Sequence, residues 1–334
     1  MGSCNGRRGF GIGVVALGFC VAVLGLDATA THAVTIQWVT VRDPGNTADT
    51  NGYGAVADPF RIMKYEWTNS QYVEFLNAVD PNGTNPNRIY DNGMSGGTGG
   101  IVFTTGNPVG SKYAAKTDMG NKPVNYVNWW DAARVANWLH NGANSNASTE
   151  TGAYTLNNAT SGNAPAVNSD ARFYIPTENQ WYKAAYYSPN AGGVGVAGYW
   201  LYATQSDTAP GTTTGSSPNQ ANYNNGGGPI DVGSYTGSAS FYGTFDQVGN
   251  VTEWNDLNGA SGSSTRGLRG GRWFNEAAEV SANGREVKSA NLSSEFTSSV
   301  GFRLAAVPEP STWAMGLAGI ASAGWGAFRR RWAR

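Results

Sequence analysis

Periodic segments are few in this chain, and the stretches that separate them are long. Pro81–Gly100, Asn141–Asp170 and Gly192–Gly228 are rich in glycine, asparagine and other turn formers, and each exceeds the usual connection in a compact domain. Loops of that length are held by function or by bound ions. The chain is still not of the disordered kind, because 12 tryptophans and 16 tyrosines accompany its 46 glycines, while charged residues make up only 13%. Such a balance suits a loop-rich globular fold. Glycine permits the tight turns and aromatic rings fill the space between loops.

Between those loops the pattern predicts short elements. Ile36–Val41 and Phe60–Tyr65 read as strands, with a turn at Gly52-Tyr53-Gly54 between them. Thr68 or Asn69 caps a helix running to about Val79, with Tyr72, Phe75, Leu76 and Val79 on one face. Val124–Val127 reads as a strand, and Asn128 caps a helix over Trp130–His140. There Ala133, Ala136 and Trp138 pack inward, and Arg134 and Asn137 face water. Phe173–Ile175 is followed by Pro176 and by Thr177, which with Gln180 forms a capping box for Glu178–Tyr187. Ile230–Tyr235, Gly267–Trp273 and Val300–Leu304 read as short strands.

Both ends differ from the middle. Residues 1–33 carry Arg7 and Arg8, an apolar run from Phe10 to Leu26, and then small residues at Ala28-Thr29-Ala30 and Ala33. That is the layout of a secretory signal peptide, cleaved after Ala30 or Ala33. Residues 307–334 open on Val307-Pro308-Glu309-Pro310. They continue through the uncharged, 18-residue span Ser311–Phe328 and close on Arg329-Arg330-Arg331 and Arg334. The span sits at the lower edge of what crosses a bilayer, and the arginines favour the cytoplasmic side. In this order the features resemble the PEP-CTERM sorting signal. The resemblance implies transient membrane anchoring, processing by exosortase-type machinery, and release to the cell surface, an extracellular matrix or the outer envelope.

The remaining chemistry narrows quickly. Cys4 and Cys20 both lie in the leader, so the exported chain holds no thiol for catalysis or metal binding. His140 is the only histidine in residues 34–306, which excludes a histidine-based zinc or iron site there. Val34–Ala306 contains 16 Lys+Arg against 21 Asp+Glu, a net charge near −5, the wrong sign for a nucleic-acid partner. No phosphate-binding loop, nucleophile elbow or His-Glu-x-x-His motif is present.

Five segments in one order carry a second resemblance: Phe60–Leu76, Pro123–Leu139, Ala171–Ala185, Asp246–Trp254, and Leu268–Leu304, which begins LRGGRW and ends GFRL. Together they resemble the formylglycine-generating enzyme, or sulfatase-modifying factor, family over nearly the whole of residues 34–306. The resemblance implies an α+β fold, the formylglycine-generating-enzyme-type variant of the C-type-lectin-like fold, loop-rich with little regular structure. It also implies structural calcium, with ligands from the side chains of Asp246 and Glu253 and the carbonyls near Gly249 and Val251. Calcium takes six to eight oxygens, and a glycine-containing turn between two carboxylates can offer them. A second calcium in the family begins at the positions of Asn222 and Tyr223, but the acidic loop that completes it is shortened here to Asn224–Gly228.

The family's catalysts hold copper through two cysteines that follow a Gly-Gly pair. Here the pair is Gly270-Gly271, and a gapless match puts Asn275 and Val280 at the cysteine positions. Neither binds Cu(I), which needs soft ligands, so no copper is expected. Thr252 replaces the family's tryptophan in the segment Asp246–Trp254. These departures instead suggest a binding or structural module, with Trp273, Phe274, Asn275, Glu276 and Arg285 forming a shallow site for a peptide or glycan. A formylglycine-generating oxidase acting on sulfatase cysteines is the alternative that the resemblance carries. A matrix component with no specific ligand is the third reading, carried by the sorting tail alone.

Overall fold

A computed structural model describes residues 34–308. The signal-peptide reading of 1–33 and the apolar span 311–328 lie outside the described residues. In chain order the elements are β1 (Trp38–Val41), β2 (Phe60–Met63), α1 (Asn69–Val79), β3 (Ile101–Phe103), β4 (Tyr113–Ala115), α2 (Trp129–His140), β5 (Phe173–Tyr174), α3 (Glu178–Tyr186), β6 (Tyr187–Ser188), β7 (Gly198–Tyr199), β8 (Thr252–Asn255), β9 (Thr265–Arg269), β10 (Glu286–Ser289), the single turn α4 (Ser294–Thr297), β11 (Val300–Gly301) and β12 (Ala305–Ala306). The architecture is α+β. One sheet has the order β1-β2-β12-β5 and joins the two ends of the described chain, and a second has the order β10-β9-β8-β11. Two small hairpins, β3-β4 and β6-β7, complete the strands.

The three long helices begin where side chains satisfy the free N–H groups of the first turn. Thr68 with Gln71, Asn128 with Asp131 and Thr177 with Gln180 each form a reciprocal capping box. Tyr72, Phe75 and Leu76 of α1 are fully buried. They pack into a core that also takes Trp67, Trp129, Trp130, Trp138 and Trp254. A second apolar cluster gathers Trp181, Tyr182 and Tyr186 of α3 with Tyr202, Val248 and Val280.

Three sequence expectations need correction. Arg134 and Asn137 do not face water, and both are fully buried. The 141–170 loop folds over that face of α2: Glu150 takes the Arg134 guanidinium at 2.8 Å, and the Asn137 amide donates to the carbonyls of Thr149 and Tyr154. Val124–Val127 is not a strand. Its amides bond to two different elements, Val124 to Trp67 and Tyr126 to Thr297, and Tyr126 has φ of 61°, which breaks an extended run. Ile230–Tyr235 also forms no strand, because Gly233 turns the chain at φ of 74° and the Ser234 amide bonds back to Asp231.

Candidate binding groove and buried charge cluster

The groove grows from the turn that follows β9. Gly270 and Gly271 take φ of 90° and 65°, values that favour glycine. A methyl on Gly271 would lie 2.7 Å from Val280 Cγ1 and 3.2 Å from Asn275 Oδ1. The two positions matched to the family's cysteines therefore meet at one point in space. An amide and an isopropyl group occupy it. Asn275 Oδ1 accepts the Arg272 N–H at 3.0 Å, and Val280 is fully buried.

Above this point opens a cavity of about 320 Å³, lined among others by Leu268, Arg269, Asn275, Glu279, Arg285 and Glu286. Arg285 also lines a neighbouring recess of about 300 Å³ with Tyr53, Asn179 and Asn258. Glu178 lines this recess and holds the arginines of both. One oxygen accepts from Nε of both Arg269, at 2.8 Å, and Arg285, at 2.7 Å, and the other accepts from Arg285 Nη2 at 3.0 Å. Glu279 and Glu286 add two further carboxylates to the lining, so the groove presents guanidinium and carboxylate groups side by side. The Arg269 guanidinium also stands 4.6 Å from the Tyr53 ring and 5.0 Å from the Tyr182 ring, a cation–π setting that fixes it.

Of the residues expected to bind ligand, Asn275 and Arg285 line the cavity. Phe274 is half-exposed beside it, with the Arg272 guanidinium 5.6 Å from its ring. Trp273 does not join them. It is buried against Phe274, with its amide bonded to Asn250. Glu276 is exposed, and its N–H donates to Glu279. Arg269 and Glu178 were not anticipated. Their pairing bridges 91 residues, so no local spacing announces it.

Beneath the turn Asp246–Glu253 lies a cluster of charge. Glu253 and Arg303 are both fully buried. Arg303 Nε and Nη2 each reach a different oxygen of Glu253 at 2.6 Å, and the Trp181 indole donates to that carboxylate at 2.8 Å. Glu66 is also buried and accepts from the Asn250 amide at 2.7 Å and the Val251 N–H at 3.2 Å. Asp246 accepts the Gly233 N–H at 2.6 Å and lines a water-sized cavity of about 10 Å³. Burial, with Asp246 and Glu253 nearby, holds the Glu66 carboxyl well above its ordinary value. Burial likewise raises Asp246 to about 6, against the pull of the Gly233 N–H and Arg303. Three carboxylates thus share one guanidinium.

For calcium this arrangement is a partial match. Among the described residues, no three acidic, histidine or cysteine side chains close on one point. Glu253 has three of its roughly four acceptor positions taken. The excess of buried negative charge is nevertheless what a divalent cation would offset. Asn222, expected to start a second calcium site, uses its amide to donate to Gly228 O and Asn250 Oδ1. The Tyr223 hydroxyl donates to Pro210 O. Asn222 thereby ties its loop to the Asp246–Glu253 turn, and Asn225 closes the shortened loop on Gly227.

Comparison with known proteins fits this picture. The chain matches the family model for the sulfatase-modifying factor enzyme 1-like domain over residues 42–307, and the PEP-CTERM protein-sorting motif over 306–331. No curated protein matches it. Among solved structures, CarF is similar at 23% identity, with 83% of this chain and all of that one covered, at a TM-score of 0.52. Treponema denticola variable protein 1 (20% identity, 83% and 97% covered, TM-score 0.48) and PvdO from Pseudomonas aeruginosa (16%, 82% and 92%, 0.42) are more distant. Of these three, CarF bears on the fold. With the family model spanning most of its length and a sorting motif behind it, this chain is an exported member of the formylglycine-generating enzyme, or sulfatase-modifying factor, family.

Proposed function

We propose that this protein is a non-oxidase binding module of its family, carried on the C-type-lectin-like variant of the fold and held at the cell surface or in an extracellular matrix. The observation that carries the reading is the meeting of Asn275 and Val280 at Gly271. A copper oxidase needs a thiolate pair there, and an amide with an isopropyl group cannot hold Cu(I). What the site does offer is a groove lined by guanidinium and carboxylate groups, with a half-exposed phenyl ring at its side. Peptides and glycans, which carry both donors and acceptors, suit such a surface. A peptide and glycan array probed with the exported protein should show binding that Arg285→Ala weakens, since Arg285 borders both recesses. The enzymatic alternative has its own test. Incubated with Cu(I), oxygen and a cysteine-containing sulfatase peptide, the protein should give no aldehyde by mass above a metal-only blank. Turnover would restore the reading of a formylglycine-generating oxidase.

The proposed organisation is a signal peptide over 1–33, the family domain over 34–306, and a sorting tail over 307–334 that anchors the chain transiently. The sorting motif implies exosortase-type processing. The intact mass of the protein recovered from its native envelope should lack Arg329–Arg334, and a mature product that retains them would contradict processing. Calcium belongs to this proposal as a structural brace. Asp246, the carbonyls of Gly249 and Val251, and the free position on Glu253 would hold it, and its charge would offset the carboxylate excess around Arg303.

A further inference from the structure

Strand β10 is an open edge of its sheet. Its antiparallel register with β9 sets Glu286 opposite Leu268 and Ser289 opposite Thr265. The pairing continues to Ala290, whose N–H donates to Ser264 O at 2.8 Å. In an antiparallel pair, residues bonded to the partner alternate with residues whose backbone groups point away. Counting back from Ala290, Lys288 and Glu286 bond inward, and Val287 and Ser289 turn their N–H and C=O to the open edge. Both are exposed, Val287 at 40%. Two further apolar groups stand beside this edge, Phe274 at 50% and Phe296 at 52% exposure. The first is tied to β10 through Arg272, which lies over its ring and pairs with Glu286. The second is tied through Lys288, which lies 6.0 Å from its ring centre and 3.3 Å from Glu286.

We propose that this edge pairs with the same edge of a second copy of the chain, antiparallel, about a twofold axis at Val287. In that register Val287 faces Val287 of the partner subunit, and Glu286 faces Lys288 of the partner subunit. A twofold interface must be complementary to itself, and the order Glu-Val-Lys read against its own reverse is. An axis on Lys288 would set two lysines opposite each other, and one on Glu286 two glutamates, both unfavourable. The favoured axis also falls on a residue whose N–H and C=O point outward, so charge and hydrogen bonding select the same register. Unpaired edges invite such pairing, and joining them makes one continuous eight-stranded sheet from two four-stranded ones. Because Glu286 lines the groove, the partner's Lys288 arrives at its rim. The inference rests on strand geometry and is independent of what the groove binds.

Sedimentation of the mature exported protein over a dilution series tests it. The wild type should pass from dimer to monomer on dilution. Val287→Pro should raise the dissociation constant about tenfold or more. Proline there removes an outward N–H and leaves the β9 pairing intact, as edge strands tolerate. Lys288→Glu is a surface change that sets like charges face to face, and it should weaken the dimer similarly. Both variants should keep the wild-type melting temperature when dilute. A wild type that is monomeric at every concentration overturns the proposal, as does a dimer that Lys288→Glu leaves unchanged. So does a monomer that uses this edge only for an unrelated extended peptide.

Discussion

Arg303→Met is expected to be the most damaging single substitution in the described domain. Arg303 has no exposed surface, and its guanidinium donates to both Glu253 oxygens and to the carbonyls of Met63, Lys64 and Phe245. Removing it leaves Glu253 buried without its countercharge, and takes from Glu66 and Asp246 a cation that opposes their mutual repulsion. Breaking a buried pair from one side costs about 3–5 kcal/mol. For a domain of this size each kcal/mol shifts the melting temperature by about 2–4 °C, so a fall of about 10 °C should appear in a thermal melt. The double variant Glu253→Met with Arg303→Met should recover part of that loss, since well-packed apolar residues often replace a buried ion pair at little cost. A melt of Arg303→Met within a degree or two of the wild type would show that the pair is not the keystone of this turn.

The helices were legible because their signals are local. Thr177 and Gln180, or Thr68 and Gln71, lie three residues apart and close a cap by themselves. The strands were less legible because they are short and their partners are distant. β12 joins β2 and β5 from the far end of the domain, and β8 hides within a segment that reads as an ion-binding turn. In the structure Asp246–Asn250 makes the turn, with φ of 64° at Asp246 and 79° at Gly249, and the chain then straightens into β8 with Glu253 inside it. The site divides in the same way. Asn275 and Val280 follow a glycine pair closely enough to be matched by counting. Glu66, Arg303, Glu178 and Arg269 acquire their roles only through contacts across the fold. Burial then turns an ordinary surface residue type into a costly one. Glu66 shows this: beside Trp67, three residues past a short strand, it gives no hint in sequence that it will be 1% exposed next to two other carboxylates.

Calcium should raise the melting temperature, and should do so more at pH 8 than at pH 5. Asp246 has a folded-state value raised to about 6 from 3.8, chiefly by burial. A carboxyl raised in this way binds its proton more tightly in the folded protein. Its contribution therefore favours folding at pH below about 4, weakens as pH rises through about 6, and is fully unfavourable above that. Glu66 acts in the same direction. Without a cation, then, this cluster opposes folding most strongly at neutral and alkaline pH. A divalent ion bound only by the folded state offsets that, by about 2.7 kcal/mol at a hundredfold excess over its Kd, and competes with protons for the same oxygens. Melts in calcium and in chelator should consequently diverge as pH rises from 5 to 8. Asp246→Asn removes the charge and retains an oxygen to accept the Gly233 N–H, so the variant should fold, lose most of the calcium response, and show a flatter pH dependence in chelator. Curves that coincide with and without calcium at pH 8 would remove the ion from this turn. A steep pH dependence that survives Asp246→Asn would assign it instead to Glu66, to Asp131, which burial raises to about 7, or to Asp256, which burial raises to about 6.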